Sequence, residues 1–210
     1  MSDAAPFRIV ASRRPFSGQL IRVRVDRIAD DDGNQSEREV AEHGGAVAAL
    51  VVDQDGAVLL VEQWRHPVGA RMLEVPAGRY DVEGETVEAA LRRELAEELH
   101  VEGGTLTWLA SCYTTPGWSD EVVDVYLAEG VRPVAGEQAA LDWEEAGLQV
   151  VRVPFEEAVR LATRASPGDS KTLVALGLYG LLRAGTFAPD QAGRPAPDAP
   201  RRRAAARPAS

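Results

Sequence analysis

The sequence predicts an α/β protein in which a mixed β-sheet carries helices on its faces and a small antiparallel β-sheet arm precedes it. Short apolar or alternating segments typical of strands recur between residues 20 and 153. One amphipathic helix, predicted over 86–100, interrupts them, and two more helical segments follow, at 155–163 and 170–183. Strands on both sides of a helix, followed by closing helices, are typical of a mixed sheet between helical layers.

Residues 1–43 form the predicted N-terminal arm. Ile21, Val23 and Val25 alternate with charged residues, which is the period of two of a half-buried strand. The cluster of aspartates, glycine and asparagine at 30–34 is a strong turn signal, so a second short strand should follow it. A sheet of two or three strands is marginally stable alone. We therefore expect the arm to pack on the main domain of its own subunit or of a second one.

The main domain is predicted to span residues 44–185. It begins with a hairpin of strands 46–52 and 57–63 around a turn at 53–56. Further strands are predicted at 72–75, 105–114, 122–128 and 148–153. The remaining segment, 186–210, holds five prolines and five arginines against two aspartates, and this composition predicts a disordered tail.

Composition and charge exclude several classes of protein. The net charge of −10 argues against electrostatic binding of nucleic acid by the folded body. The longest apolar runs, such as 46–52, are too short to cross a bilayer, so no membrane partner is expected. The N-terminus lacks the layout of a signal peptide, and the single cysteine, Cys112, cannot form an intrachain disulfide. These features predict a cytoplasmic protein.

The predicted helix at 86–100 carries three glutamates on one face. Glu94, Glu97 and Glu98 stand three or four residues apart or adjacent, so they crowd together beside an apolar stripe. Like charges at this spacing repel, and oxygen-seeking divalent cations offset such repulsion. A solvated surface helix explains the same residues, because glutamate is a good helix former. The glutamates alone leave both interpretations open.

The surrounding segment resembles the Nudix box, whose usual form is G-x5-E-x7-R-E-U-x-E-E-x-G-U with U an aliphatic residue. The positions in register with this pattern are Glu85, Arg93, Glu94, Leu95, Glu97, Glu98 and Val101. Two positions depart from it: Gly78 lies one residue too far from Glu85, and His100 replaces the late glycine. A helix end favours glycine in a left-handed C-cap without strictly requiring it.

The resemblance implies the α/β/α sandwich of the Nudix fold and a metal-dependent hydrolase of a nucleoside diphosphate linked to another group. It implies that Glu94, Glu98 and the main-chain carbonyl of Ala77 bind the metal. The catalytic residues that it implies on and beside the helix are Glu97, Arg93 and Glu85. The expected cation is Mg²⁺, with Mn²⁺ as an alternative.

Residues outside the box resemble the ADP-ribose pyrophosphatase branch of this family. The matching segments are Arg65, Leu73 to Gly78, and Thr115 to Glu121, with Pro116 where that branch typically has a proline beyond the box. The resemblance implies cleavage of ADP-ribose to AMP and ribose 5-phosphate. It also implies a homodimer in which the N-terminal strands pack on the partner.

Three residues outside the helix are predicted to bind the substrate. Arg65 suits a bidentate phosphate contact, although its side chain could simply lie along the surface. Glu74 is predicted to accept hydrogen bonds from ribose hydroxyls, and the alternative is a surface strand residue. Trp118 follows a Pro-Gly turn, where it could stack on a base or belong to the core.

The water-activating base is predicted in the polar loop at 136–147. The resemblance implies an acidic loop beyond the box, and Glu145 is the expected base or additional metal ligand, with Glu144 as the second candidate. Two rival functions remain open. One is hydrolysis of another nucleotide sugar or a dinucleoside polyphosphate. The other is a non-catalytic module that senses ADP-ribose, which would be expected to lose the metal glutamates or gain a DNA-binding extension.

Overall fold

The computed structural model describes residues 5–79, 84–134 and 147–190, and these form two compact units. The first unit contains the chain up to Gly45 and the segment Tyr113–Val122. The second contains Ala46–Cys112 and the described chain from Val123 onward. The predicted loop at 136–147 lies almost entirely outside the described residues, as does the predicted tail beyond residue 190.

The first unit is built on a three-stranded antiparallel sheet in the order β1-β2-β3. Its strands are β1 (Arg8–Ser17), β2 (Arg22–Ala29) and β3 (Gln35–Glu42). The predicted turn between β2 and β3 is confirmed, and Asp30 closes it by accepting hydrogen bonds from the amide and the side chain of Asn34. Strand β1 was not predicted, because two register shifts against β2 break its alternation of apolar and polar residues.

A seven-stranded mixed sheet forms the centre of the second unit. The strands are β4 (Ala46–Asp53), β5 (Val58–Arg65), β6 (Ala70–Glu74), β7 (Ala77–Arg79), β8 (Val101–Tyr113), β9 (Val122–Pro133) and β10 (Gln149–Val153). The order along the sheet is β10-β5-β4-β9-β8, with β6 beside β5 and β7 beside β4. Strands β4 and β9 are parallel, whereas the pairs that β5 makes are antiparallel.

Helices cover both faces of this sheet, as the predicted sandwich requires. They are α1 (Val87–Leu99), α2 (Phe155–Arg164) and α3 (Ser170–Arg183). Alternate residues of β4 face opposite layers: Val47 packs with the apolar stripe of α1, whereas Leu50 packs with α2 and α3. A strand that is buried on both faces reads as a continuous apolar run, and β4 does so.

The sheet splits where β4 and β5 diverge. These two strands pair at only two positions, Val51 with Leu59 and Val52 with Val58. Farther along, β6 pairs with β5 and β7 pairs with β4, so the β6–β7 connection occupies the gap. Strand β7 was not predicted because the segment Pro76-Ala77-Gly78, in which it begins, indicates a turn. The split brings the backbone around residues 74–78 between the two helical layers.

Helix α1 has a cap at each end. Thr86 accepts a hydrogen bond from the amide of Ala89 at the N-terminus. His100 ends the helix in the left-handed conformation, with φ 55° and ψ 42°, and its amide donates to the carbonyl of Leu95. The departure from the Nudix pattern at His100 therefore keeps the glycine-type cap geometry with a residue that tolerates it less well.

No helix within the described ranges is long and apolar enough to cross a membrane.

Candidate active site

Of the three clustered glutamates on α1, two are buried. Glu94 is 9% exposed and Glu98 is 6% exposed, whereas the side chain of Glu97 is 46% exposed. The solvated-face interpretation is therefore wrong for Glu94 and Glu98 and correct for Glu97. Burying a carboxylate without a compensating partner is costly, so the surroundings of Glu94 and Glu98 must contribute one.

The backbone of β7 lies directly against these two carboxylates. The amide of Ala77 donates a hydrogen bond to Oε2 of Glu98 at 3.2 Å. A Cβ atom added to Gly78 would lie 1.8 Å from Cδ of Glu94, which no real contact allows. Glycine at position 78 is therefore required for the carboxylate of Glu94 to pack against the backbone.

Arg93 connects the carboxylates of the box. Its Nη1 contacts Glu94 at 2.8 Å and Glu97 at 3.0 Å, and its Nε contacts Glu85 at 3.2 Å. The predicted pairing of Arg93 with Glu97 is confirmed. Burial by itself lowers the pKa of Arg93, but the carboxylates of Glu85 and Glu94 outweigh it and raise that pKa. The arginine therefore offsets the repulsion among the glutamates and fixes their side chains.

The residues around α1 fit a hard divalent cation. Across the part of the chain that the structure describes, no three His, Cys, Asp or Glu side chains form a ready-made metal cluster. Magnesium commonly uses one or two carboxylates and completes its shell with water and substrate phosphates. Glu94, Glu98 and the main chain of Ala77 are suited to supply such an incomplete shell.

A second charged group lies in the split of the sheet. Arg65, at the end of β5, makes a bidentate contact with Glu74, at the end of β6, through two hydrogen bonds of 2.7 Å. Glu74 is 1% exposed, so its interpretation as a surface strand residue is wrong. The side chain of Arg65 remains 38% exposed, which leaves it accessible to a ligand. Both carboxylate oxygens of Glu74 accept hydrogen bonds from Arg65. Contact of Glu74 with ribose stays a prediction.

Sequence reasoning missed the partners that α3 supplies to this group. Lys171 contacts Glu74 at 3.2 Å and Asp169 at 2.6 Å. Asp169 caps α3 by accepting hydrogen bonds from Thr172, and the hydroxyl of Thr172 accepts one from the amide of Val75 at 2.8 Å. One signal could have drawn attention to it: Lys171 is the single lysine among 23 basic residues.

The two remaining predicted residues lie elsewhere. Trp118 belongs to the first unit, where its amide donates to the carbonyl of Thr115, and it is 59% exposed. The core interpretation of Trp118 is therefore wrong, whereas stacking on a base stays a prediction. Glu145 and its alternative Glu144 lie outside the described residues.

The lowered pKa of Asp169 predicts that the stability of the fold depends on pH. Burial alone would raise the pKa of Asp169, but the charge of Lys171 and hydrogen bonds from Lys171 and Thr172 lower it below its usual value. A carboxyl whose pKa is lowered by folding stabilises the protein above its unfolded pKa, about 4, and loses this effect as the pH falls through the folded value. We expect Asp169→Asn to unfold at a lower temperature than the wild type at pH 7.

The gap in unfolding temperature between these two proteins should narrow as the pH falls below about 4. Thermal unfolding followed by circular dichroism from pH 7 to pH 3 measures it. Asp55→Asn, which changes an exposed carboxylate paired with Arg152, is a matched control and should show a small gap throughout. A gap for Asp169→Asn that stays constant across this range would contradict the interpretation.

Comparison with known proteins assigns this chain to a family. The family model described as NUDIX domain matches residues 42–176. The chain is 36% identical over 169 residues to the ADP-ribose pyrophosphatase of Bacillus subtilis (strain 168), covering 80% of this chain and 90% of that protein. It is 39% identical over 158 residues to the ADP-ribose pyrophosphatase of Mycobacterium tuberculosis (strain ATCC 25618 / H37Rv), covering 75% of each.

A solved structure described as an ADP compounds hydrolase has the same fold. It superposes with a TM-score of 0.75 at 20% identity, covering 89% of this chain and all of that one. The predicted α/β/α sandwich is therefore confirmed. Together with the matched family model and the identities to curated relatives, the buried glutamates of α1 lead to one conclusion: this chain belongs to the Nudix family.

Proposed function

We propose that this protein hydrolyses ADP-ribose to AMP and ribose 5-phosphate and requires a divalent cation, Mg²⁺ or Mn²⁺. The observation that supports it most strongly is the pair of buried glutamates on α1, whose carboxylates lie against the backbone of Ala77 and Gly78. Two relatives named ADP-ribose pyrophosphatase, at 36% and 39% identity, support the choice of substrate.

The reaction consumes one water. The oxygen of water forms a bond to one phosphorus of the diphosphate, and the bond from that phosphorus to the bridging oxygen breaks. A bound cation supplies positive charge that stabilises the charge developing on the phosphoryl oxygens. Glu94, Glu98 and the carbonyl of Ala77 would hold this cation in our proposal, and Arg93 fixes the carboxylate of Glu94 in position.

Arg65 contributes to binding of the diphosphate in this proposal. Its Nε and Nη2 each donate one hydrogen bond to Glu74, and these two bonds fix the edge of the guanidinium that faces Glu74. The outer donors are suited to phosphate oxygens, which a planar guanidinium binds well. Holding an arginine in advance reduces the entropy lost when the ligand binds.

We assign the removal of the proton from water to Glu145, with Glu144 as the alternative. A base outside helix α1 leaves Glu94 and Glu98 to the cation. Glu145→Gln should lower kcat by at least about a hundredfold and leave KM nearly unchanged, as expected for a general base. Glu144→Gln is the matched control. A normal kcat in Glu145→Gln combined with a low kcat in Glu144→Gln would transfer the role to Glu144.

A substrate panel tests the proposed function. Purified protein with Mg²⁺ is incubated with ADP-ribose, a second nucleotide sugar such as GDP-mannose, and a dinucleoside polyphosphate, and products are separated by ion-exchange chromatography. We expect kcat/KM to be highest for ADP-ribose, with AMP and ribose 5-phosphate formed in equal amounts. A higher kcat/KM for another diphosphate would make that compound the assigned substrate in place of ADP-ribose. Tight binding of ADP-ribose without turnover would indicate a sensing module instead.

We also propose that the protein is a homodimer joined through the N-terminal arm, residues 1–43. All of β1 is exposed, including Ile9 at 61% and Phe16 at 54%. Large apolar side chains grouped on one exposed strand are typical of an interaction surface. A second copy of the chain fits this surface in our proposal, because an exposed edge strand favours pairing with its equivalent.

Sedimentation equilibrium tests the dimer. The wild type is expected at twice the chain mass of 22.6 kDa, whereas Ile9→Asp and Phe16→Asp should each shift it towards one chain mass, since a buried charge opposes association. Val134→Asp, at another exposed apolar position, is the control and should leave the mass unchanged. A wild type that sediments as a monomer would contradict the proposal.

A further inference from the structure

The chain uses arginine for every basic position except one. The sequence contains 22 arginines and a single lysine, Lys171, among its 23 basic residues. This lysine lies in the first turn of α3, and its side chain is 17% exposed. Position 171 therefore carries a compact ammonium group, whereas every arginine of the chain carries a planar guanidinium.

Lys171 lies between two carboxylates in a row of four alternating charges. Its Nζ lies 3.2 Å from Oε2 of Glu74 and 2.6 Å from Oδ1 of Asp169. Glu74 in turn holds Arg65 through two hydrogen bonds of 2.7 Å. The order of charges is Arg65, Glu74, Lys171, Asp169, so two cations balance two carboxylates.

The balance depends on Lys171 because the group is largely withdrawn from water. Burial lowers the pKa of Lys171, but the charges of Asp169 and Glu74 outweigh burial and raise that pKa. The lysine is therefore charged at neutral pH. Without it, Asp169 would lose its cation and Glu74 would keep only Arg65, and a buried carboxylate that has lost its partner is strongly unfavourable.

A side-chain shift at Glu74 would reach Arg65 directly. Oε2 of Glu74 accepts from both Lys171 and Nη2 of Arg65, so the ammonium fixes the oxygen that orients the guanidinium. The charge of Glu98 also acts on Arg65 and raises its pKa, after the contribution of Glu74. Loss of the ammonium would therefore release the Glu74 oxygen that holds Nη2 of Arg65.

We propose that Lys171 is a positioning residue for substrate binding: its ammonium group holds the carboxylate of Glu74 in place, and Glu74 aims the guanidinium of Arg65 at the diphosphate. This inference rests on the proposed function, because it assigns Arg65 to the phosphate groups of the substrate. Lys171 itself touches no substrate in this account. Its effect therefore appears in KM and passes through Arg65.

A purely structural role of Lys171 can be separated from positioning. Lys171→Met removes the ammonium and leaves Asp169 without its cation, so it should lower the unfolding temperature. Adding Asp169→Asn restores the charge balance, and asparagine caps a helix about as well as aspartate. The double variant, Lys171→Met with Asp169→Asn, should therefore regain most of the lost stability but still lack the contact that fixes Glu74.

The test compares kinetic constants in two backgrounds. In the otherwise wild-type protein, the double variant should raise KM for ADP-ribose about five- to tenfold and change kcat less than about threefold. In an Arg65→Met background, adding the same two substitutions should change KM less than about twofold, because the residue through which they act is gone. Arg183→Met removes an exposed cation from the same helix and should leave both constants unchanged.

The kinetic results distinguish failure of the inference about Lys171 from failure of the proposed function. A double variant with the KM of the wild type would overturn the inference, as would equal increases of KM in the two backgrounds. An inactive wild type that also fails to bind ADP-ribose would overturn the proposed function. An active wild type combined with an unchanged KM in the double variant would overturn the inference alone.

Discussion

Glu98→Gln is expected to lower kcat for ADP-ribose by about a thousandfold or more, because in our proposal it removes a charged ligand of the cation that would stabilise the phosphoryl transition state. Glutamine has the same shape as glutamate and can still accept the hydrogen bond from the amide of Ala77. The fold should therefore be retained, with a change in unfolding free energy within about 1 kcal/mol. Steady-state kinetics at saturating Mg²⁺ and thermal unfolding measure the two effects.

The control for Glu98→Gln is a carboxylate outside the site. Glu102 is exposed and pairs with Arg132 at 3.0 Å, so Glu102→Gln should preserve both kcat and stability. If Glu98→Gln kept more than a tenth of the wild-type kcat, Glu98 would not be an essential ligand. Loss of the fold in Glu98→Gln would instead assign Glu98 a structural role.

Gly78→Ala should lower kcat by about a hundredfold or more while leaving most of the stability. The added Cβ would lie 1.8 Å from Cδ and 2.0 Å from Oε1 of Glu94. Since these atoms are the end of a flexible side chain, the carboxylate can rotate away, and the backbone does not have to move. The substitution should thus displace the proposed metal ligand Glu94 at a small cost to folding, and kcat and the unfolding temperature are measured on the same preparation.

Gly177→Ala is the matched control for the glycine substitution. Gly177 lies inside α3, and a Cβ added there meets no atom within 4 Å. Alanine is the better helix former, so this variant should gain roughly 0.5–1 kcal/mol of stability with unchanged kcat. A Gly78→Ala enzyme with normal kcat would mean that the position of the Glu94 carboxylate against β7 is not needed for catalysis.

The parts of the fold that were predictable from sequence are those with a strong local pattern. The continuous apolar run of β4 and the apolar stripe of α1 each place an element within a few residues of its observed bounds. Helix α3 was predicted over the same residues that the structure shows. The spacing of Glu94, Glu97 and Glu98 predicted a shared face, although spacing alone could not tell which of them is buried.

The missed elements depend on interactions between distant parts of the chain. Strand β7 is only three residues long and exists because β4 diverges from β5 and exposes an edge for it. The contact of Lys171 with Glu74 joins residues 97 apart, and no local pattern encodes it. Strand β1 escaped prediction because its bulges remove the period on which strand prediction depends.

His100 illustrates how a sequence mismatch can conserve structure. The box pattern has glycine at this position, and glycine adopts positive φ without steric cost. His100 adopts φ 55° all the same, and α1 ends there with its capping hydrogen bond to Leu95. The histidine therefore ends the helix in the left-handed conformation that the glycine of the pattern favours.

We propose that Glu94, Glu98 and the main chain of Ala77 hold the divalent cation that hydrolysis requires. The most direct measurement is Mn²⁺ binding, followed by electron paramagnetic resonance, in wild type and Glu98→Gln under the buffer conditions used for ADP-ribose turnover. We predict that the wild type binds Mn²⁺ and turns over ADP-ribose, and that Glu98→Gln loses both together. Turnover that persists in the wild type after complete removal of divalent cations, or unchanged Mn²⁺ affinity in Glu98→Gln, would contradict the claim.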